Sequence, residues 1–276
     1  MGLCSSSGAI QQSTPTATNE AEDPYRTRRS INYMSDESRA TASERASLRA
    51  KSSRSTALKN VTTGWHQGET YVIRICICGG TCGGKGEATQ LITKALTTAG
   101  FNVHPLISAH NLLHNSGFKL PSILQNDGKD RLHYEKLVME LQLQQERSFV
   151  QMAAGSKERA VVLISAGLMN GKAHMREDQW NTLLKQWGSD ENYINSRYDM
   201  VLHLVTSADG ASNRYRNDME ESAEEAKLLD RRLRNAYAKH SNHVVADNSH
   251  ESWNEKMIYA RDKVMHLVKT KYDAEL

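Results

Sequence analysis

The sequence of 276 residues lacks any apolar run approaching the roughly 18 residues of a membrane-spanning helix, so we expect no segment to cross a bilayer. Its formal net charge of +3 is too small to indicate a nucleic-acid-binding protein. Cysteine is also scarce. Three of the four cysteines, Cys76, Cys78 and Cys82, lie close together, but no second cluster of cysteine or histidine completes a zinc site. We therefore interpret these three as buried, reduced thiols.

A glycine-rich segment is the most informative feature that the sequence does contain. Residues 72–89, VIRICICGGTCGGKGEAT, run from an apolar, β-branched strand through a glycine-rich turn into a helix. This segment has the G-x-x-x-x-G-K spacing of a phosphate-binding P-loop. Glycines let backbone N–H groups turn towards a polyphosphate, and the helix N-terminus and the lysine add positive charge. The residues predicted to bind ATP or GTP are Gly79, Gly80, Thr81, Cys82, Gly83, Gly84, Lys85, Gly86 and Glu87.

The same segment lacks the metal-binding part of the motif. A serine or threonine, whose hydroxyl ligates Mg²⁺, normally follows the lysine, and this chain has Gly86 there. The second and third predicted strands lead into Ser108 and Ser165 instead of the carboxylates that hold Mg²⁺ or act as a base. Glu87 is the nearest carboxylate, and we expect its side chain to face away from the phosphates. The sequence therefore predicts a loop that holds phosphate and is poorly equipped for Mg²⁺.

Apolar strands alternate with amphipathic helices along residues 61–276. Such alternation predicts a mostly parallel sheet with helices on both faces, which is the three-layer α/β/α fold of P-loop NTPases of the nucleoside-kinase-like class. Residues 112–125 are expected to be irregular or partly helical. After the P-loop strand, further strands are predicted at 101–107, 160–165, 200–206 and 243–246, and helices at 87–99, 131–154, 177–187, 220–240 and 251–269.

Residues 1–60 are predicted to be a disordered, basic tail, because they are rich in serine, threonine, arginine and alanine without sustained apolar periodicity. The first residues match the N-myristoylation pattern M-G-x-x-x-[ST], with Gly2 as the acceptor and Ser6 in place. Cys4 is a natural palmitoylation site beside it, and a second acyl chain is what stable anchoring requires. The alternatives are a chance match and a solvated linker with no lipid role.

Four segments of the folded region resemble one P-loop family. They are GGTCGGKGEAT at 79–89, GLMNGKAHM at 167–175, YDMVLHLVTSADG at 198–210 and the stretch 224–249. The family contains the ribosylnicotinamide-kinase domain of NadR and the TRPL-translocation-defect protein, which binds GTP and phosphoinositides. The resemblance implies a degenerate member of this family, with GTP and phosphoinositide headgroups among its expected ligands.

The resemblance also implies which positions should carry the catalytic groups. In that family a hydroxyl follows the P-loop lysine, a glutamate follows the second strand, and the third strand ends in an Asp-Arg-Gly motif followed by Asp-Gly. The matching positions in this chain are Gly86, Ser108, Ser165-Ala166-Gly167 and Asn170-Gly171. None of these positions carries a carboxylate.

Two further expectations concern the nucleotide. The resemblance implies an arginine shortly after an Asn-Asn pair, which matches Asn217-Asp218-Met219 here, and Arg214 or Arg216 would have to replace it. In this fold class the turn after the last strand lies near the nucleotide base, so Asp247 is a candidate for contacting the base edge. The alternative for Asp247 is an Asx turn that caps the next helix.

These observations favour a lipid-anchored, non-catalytic P-loop protein that binds ATP or GTP and acts as a peripheral membrane adaptor or switch. Its expected location is the cytoplasmic face of a membrane, either the plasma membrane or that of a cilium or flagellum. One alternative is an active NTPase or small nucleoside kinase with unfamiliar metal ligands. The second alternative is a structural module that binds no nucleotide. The histidines lack ligand spacing, so no chemistry is assigned to them.

Overall fold

The computed structural model of this chain describes residues 71–118, 129–216 and 221–273. The predictions for the tail at 1–60, including Gly2 and Cys4, and for Asn217-Asp218-Met219 lie outside these residues. No helix in the described part of the chain is both long enough and apolar enough to span a membrane.

Five strands form one sheet in which every neighbouring pair is parallel. Their order across the sheet is β2-β3-β1-β4-β5, so the strand that precedes the glycine-rich loop lies at the centre. Parallel neighbours require crossover connections, which the helices supply on both faces. The strands are β1 Val72–Gly79, β2 Asn102–Leu106, β3 Ala160–Ser165, β4 Met200–Leu204 and β5 His243–Ala246. The predicted α/β fold with a parallel sheet is therefore confirmed.

Eight α-helices connect and cover these strands in the described residues, with one 3-10 turn at Ser212–Arg214. The segment predicted to be irregular begins with a short helix, whose first turn is capped by the Ser108 hydroxyl. The helices are α1 Lys85–Thr98, α2 Ala109–Asn115, α3 Lys129–Gly155, α4 Asn170–His174, α5 Glu177–Trp187, α6 Glu191–Asn195, α7 Ala223–Ala236 and α8 Trp253–Asp273.

Helix α7 is shorter than the predicted 220–240. Its start is fixed by a capping box, in which Ser222 accepts from the Glu225 N–H while the Glu225 side chain accepts from the Ser222 N–H. At the other end Tyr237 is the C-cap, and the chain turns away before His240. The amphipathic pattern alone did not show that the last four residues leave the helix.

Strand β1 separates two apolar layers. Its alternate residues Ile73, Ile75 and Ile77 pack on the layer formed with α1 and α8, while Cys76 and Cys78 pack on the opposite layer. Both cysteines are fully buried free thiols, as predicted, whereas Cys82, predicted to be buried with them, is only partly buried in the glycine-rich loop. A central strand buried on both faces accounts for the continuous apolar run in the sequence.

A buried polar network joins the loops on the β2–β3 side of the sheet. Arg197 pairs with Glu146 of α3 at 2.7 Å, and the two side chains are only 4% and 1% exposed. Tyr198 donates its hydroxyl hydrogen to Glu146 and accepts from the Leu168 N–H, and Gln142 links Glu146 to the Ala109 N–H. One carboxylate thus positions the chain segments that follow β2 and β3.

This network predicts a large effect of a single substitution. Glu146→Ala leaves the Arg197 guanidinium buried without its carboxylate, so we expect the free energy of unfolding to fall by about 3–5 kcal/mol. Urea denaturation of the full chain measures it. Asp178→Ala, which breaks the exposed pair with Arg176, is the control and should leave the denaturation midpoint unchanged. Equal effects of the two substitutions would contradict the assignment of Glu146 as the centre of a buried network.

Candidate nucleotide-binding site

The glycine-rich loop connects β1 to α1 and needs left-handed backbone at several positions. Gly79, Cys82 and Gly84 have φ values of 136°, 55° and 91°. A Cβ on Gly79 would lie 2.0 Å from the Leu204 carbonyl oxygen, and one on Gly83 would lie 2.5 Å from the same atom. Only glycine fits at these two positions, because the end of β4 passes directly against the loop.

Lys85 occupies the first turn of α1 and folds back over the loop. Its ammonium group donates to the Gly79 carbonyl at 2.9 Å and to the Gly80 carbonyl at 2.7 Å. Burial lowers the pKa of Lys85, and nearby thiols and carboxylates, including Asp230 and Glu221, offset part of that effect. The loop therefore holds a desolvated cation at the place where a P-loop lysine meets the β- and γ-phosphates.

Asp230 of α7 holds the start of the loop. Its Oδ1 accepts from the Gly80 N–H at 2.8 Å, from the Thr206 N–H at 3.0 Å and from His203 Nε2 at 3.2 Å. Burial raises the pKa of Asp230, but these hydrogen bonds outweigh it and leave the pKa below its ordinary value. The carboxylate accepts from a proton on His203 Nε2, and His203 Nδ1 lies 3.5 Å from the Cys78 sulfur.

Sequence reasoning missed Asp230 and assigned no role to His203. Asp230 lies on the same face of α7 as Ala226, Leu233 and Tyr237, which are buried apolar residues. A lone carboxylate within an apolar helical stripe was the available signal, since a buried carboxylate requires partners. Its partner Gly80 lies 150 residues away in sequence.

A second carboxylate meets the loop at Thr81. The Thr81 hydroxyl donates to Glu221 Oε2, and the Thr81 carbonyl accepts from the Thr206 hydroxyl. Glu221 precedes α7, and its neighbour Tyr215 donates to its backbone carbonyl. Two carboxylates from the α7 region therefore contact the loop, where sequence analysis found none.

Gly86 and Glu87 begin α1 beyond the lysine, and both are exposed. A Cβ on Gly86 would meet nothing within 4 Å, so the space for a hydroxyl-bearing side chain is open. Glu87 Oε2 accepts from the indole N–H of Trp253 at 2.8 Å. This bond directs the Glu87 carboxylate to α8.

The positions at which the resembling family carries metal-binding carboxylates have hydroxyl and amide side chains in this chain. Ser108 accepts from the Asn111 N–H as the cap of α2, and Ser165 lies at the end of β3 opposite Ile77. Asn170 Oδ1 accepts from the Tyr237 hydroxyl at 2.8 Å. In the described part of the chain no group of three or more histidine, cysteine or acidic residues is placed to hold a metal ion. These donors do not make a Mg²⁺ site of the usual carboxylate type.

An open cleft of about 280 Å³ lies beside the loop. Its lining residues come from the segments after β4 and β5 and from the start of α8, and Trp253 belongs both to the cleft and to the packing around Gly84. Arg214 stacks its guanidinium 5.4 Å from the Trp253 ring centroid. The other lining residues are Gly210, Ala211, Asn213, Asn248, His250, Glu251, Ser252 and Lys256.

Lys256 is 1% exposed, and its hydrogen bonds connect the segments that form the wall of this cleft. Its ammonium donates to the Val205 carbonyl at 2.7 Å and to Asn248 Oδ1 at 2.8 Å, and it lies 4.5 Å from the Trp253 ring centroid. Burial lowers the pKa of Lys256 to about 8. The cleft therefore combines an aromatic face with two cationic side chains, Arg214 and Lys256.

Asp247 is exposed, and its Oδ1 accepts from the Ser249 N–H at 3.1 Å and the Ser249 hydroxyl at 2.6 Å. This is the Asx turn that the sequence offered as the alternative. The adjacent Asn248, and not Asp247, lines the cleft. Recognition of a base by Asp247 stays a prediction.

The parallel sheet, its central first strand and the glycine-rich loop closed by Lys85 define a P-loop protein of the NTPase and nucleoside-kinase-like class. A family model described as AAA domain matches residues 74–256. Because the match covers well over half of the chain, the chain belongs to this AAA-domain family, and its fold supports nucleotide binding.

Comparisons with solved structures and with curated proteins give no information about the substrate. The crystal structure of shikimate kinase from Aquifex aeolicus vf5 is similar at 16% identity and a TM-score of 0.38, covering 72% of this chain and 98% of that one. Similarity at this level carries no inference about substrate. No curated protein matches the chain.

Two substitutions in one loop test its geometry. Gly84→Ala places a Cβ 2.8 Å from Trp253 Cζ2, at a φ of 91°, so we expect the free energy of unfolding to fall by about 1–3 kcal/mol. Gly86→Ala adds a methyl group in open space at the start of a helix and should raise it by up to about 1 kcal/mol. Urea denaturation of both variants measures the difference, and effects of the same sign would show that the loop is placed wrongly.

Proposed function

We propose that this chain is a nucleotide-binding P-loop protein that binds ATP or GTP without turning it over. The observation that carries the proposal is the Lys85 ammonium, which lies over the loop on two carbonyl oxygens. These are weak, replaceable partners for a cation, and a phosphate offers charged oxygens instead. The N-terminus of α1 adds its dipole at the same place.

The cleft beside Gly84 is the proposed position of the base. Trp253 presents an aromatic face there, and Arg214 already stacks on that ring at 5.4 Å. Arg214, a candidate by resemblance for the family arginine, lines this cleft, which supports the proposal that it contacts the nucleotide. A planar base that displaced Arg214 from the Trp253 ring would gain stacking energy on the order of 1–3 kcal/mol.

The proposed absence of turnover follows from the donors around the loop. Mg²⁺, when bound, would neutralise charge on the β- and γ-phosphates. Gly86 offers no hydroxyl, Ser108 is engaged as a helix cap, and Asp230 already accepts three hydrogen bonds. Nucleotide binding should therefore be independent of Mg²⁺. We place the chain, as a degenerate member, near the NadR and TRPL-translocation-defect proteins.

We further propose that acyl chains on Gly2 and Cys4, together with the basic tail at 1–60, hold the domain on the cytoplasmic face of a membrane. The support is the M-G-x-x-x-[ST] pattern and the excess of arginine and lysine behind it. Each basic residue close to an anionic surface contributes about 1 kcal/mol. The protein would then act as a peripheral adaptor or switch, with phosphoinositides as possible membrane partners.

Lys85→Met tests the phosphate site. A charge-assisted hydrogen bond contributes about 1.5–3 kcal/mol, so the variant should bind ATP or GTP about ten- to a hundredfold more weakly by calorimetric titration. Lys94→Met, which removes an exposed lysine of the same helix, is the control and should bind normally. Both titrations are done in EDTA and in Mg²⁺. Strong dependence on Mg²⁺ would favour the active-enzyme alternative, and no binding in any condition would leave a structural module.

Gly2→Ala tests the lipid anchor. The full chain, produced together with an N-myristoyltransferase, should gain the mass of a myristoyl group and sediment with anionic vesicles, because acyl chain and basic tail act together. The variant should show neither. Cys4→Ser is the matched control: it should keep the myristoyl mass and lose only the added stability from palmitoylation in cells. Vesicle binding that persists in Gly2→Ala would rule out myristoylation as the anchor.

A further inference from the structure

The phosphate loop of this protein is already in contact with negative charge. The Thr81 hydroxyl is bonded to the Glu221 carboxylate, and the Gly80 N–H is bonded to the Asp230 carboxylate. Asp230 is buried and saturated by three donors, which makes it part of the framework. Glu221 is only partly buried and sits at the mouth of the loop, so an incoming ligand meets its charge first.

The position of Glu221 distinguishes the two ends of the loop. Trp253 and the cleft lie against Gly84, which places the base at that end. Thr81 lies on the other limb of the loop, directly after Gly80, whose carbonyl oxygen accepts from the Lys85 ammonium, so its partner Glu221 stands on the limb that Lys85 reaches. Since the lysine of a P-loop meets the β- and γ-phosphates, the Glu221 carboxylate stands near the terminal phosphate of a triphosphate.

The charge balance at that end is unfavourable for a third phosphate. A third phosphate adds negative charge on the limb of the loop that carries this carboxylate, in a partly buried site where like charges repel more strongly than in water. A bridging cation normally relieves this charge, and the ligands for one are absent at Gly86 and among the strand-end residues Ser108 and Ser165. A diphosphate brings less negative charge to this limb than a triphosphate does.

We propose that Glu221 makes this site selective for nucleoside diphosphates over the corresponding triphosphates. The inference rests on the proposed nucleotide binding and specifies its ligand class. It predicts that the empty and diphosphate-bound protein both keep the Thr81–Glu221 contact, whereas a triphosphate must break it. Glu221 is then a specificity-determining residue that acts through charge and not through shape.

Calorimetric titration of the full chain with ADP, ATP, GDP and GTP in EDTA tests the inference. For the base that binds, we expect the diphosphate to bind about tenfold more tightly than the triphosphate. Glu221→Gln keeps an oxygen acceptor for Thr81 and removes the charge, so it should raise triphosphate affinity until the ratio approaches one. Glu221→Asp should keep the preference. Glu224→Gln, an exposed neighbour paired with Lys227, should not change it.

The outcomes separate the inference from the proposal on which it rests. If no nucleotide binds to the folded wild-type chain, the proposed function fails and this inference fails with it. If nucleotides bind but the triphosphate is equal or tighter, only the diphosphate selectivity is wrong. The same holds if Glu221→Gln leaves the ratio unchanged. Thermal unfolding of each variant confirms that the compared proteins are folded.

Discussion

The Asp230 carboxylate is the interaction on which the geometry of the phosphate loop depends. It joins the loop at Gly80, the segment after β4 at Thr206 and the side chain of His203 in β4. Burying a carboxylate costs free energy, and this one is stable only because three hydrogen-bond donors bind it. Helix α7, strand β4 and the loop are thereby held as one unit, although the loop lies more than 100 residues before the other two in sequence.

This arrangement gives the loop an internal charge balance. Lys85 donates to two backbone carbonyls, and the charges of Asp230 and Glu221 offset only part of the cost of its burial. Binding of a phosphate is then an exchange of partners, and its affinity is the difference between two sets of contacts. Such a loop discriminates between anions by their charge and length more sharply than an unoccupied cationic site would.

The sequence predicted the fold and the phosphate-facing limb of the site because both depend on local patterns. The apolar run of β1, the glycines that adopt left-handed backbone and the position of Lys85 all follow from spacing within 18 consecutive residues. The sequence did not predict the loop contacts of Glu221, Asp230 and Trp253, because their partners are 140, 150 and 166 residues away. Local sequence allowed two interpretations of Asp247, and the structure shows the Asx turn to Ser249 while base recognition stays a prediction.

Phosphate binding and metal binding require different groups, so a P-loop can keep the first and lose the second. Phosphate is held by backbone N–H groups, a helix dipole and one lysine, so most substitutions in the surrounding strands leave it intact. Magnesium requires a hydroxyl and carboxylates at defined strand ends, and each replacement removes a ligand outright. The proposed switch would not need the metal, because a bound phosphate would replace the two carbonyl partners of Lys85. What such a switch needs is that the two partner sets stabilise different positions of α7, and Asp230 and Glu221 are the residues through which the loop reaches that helix.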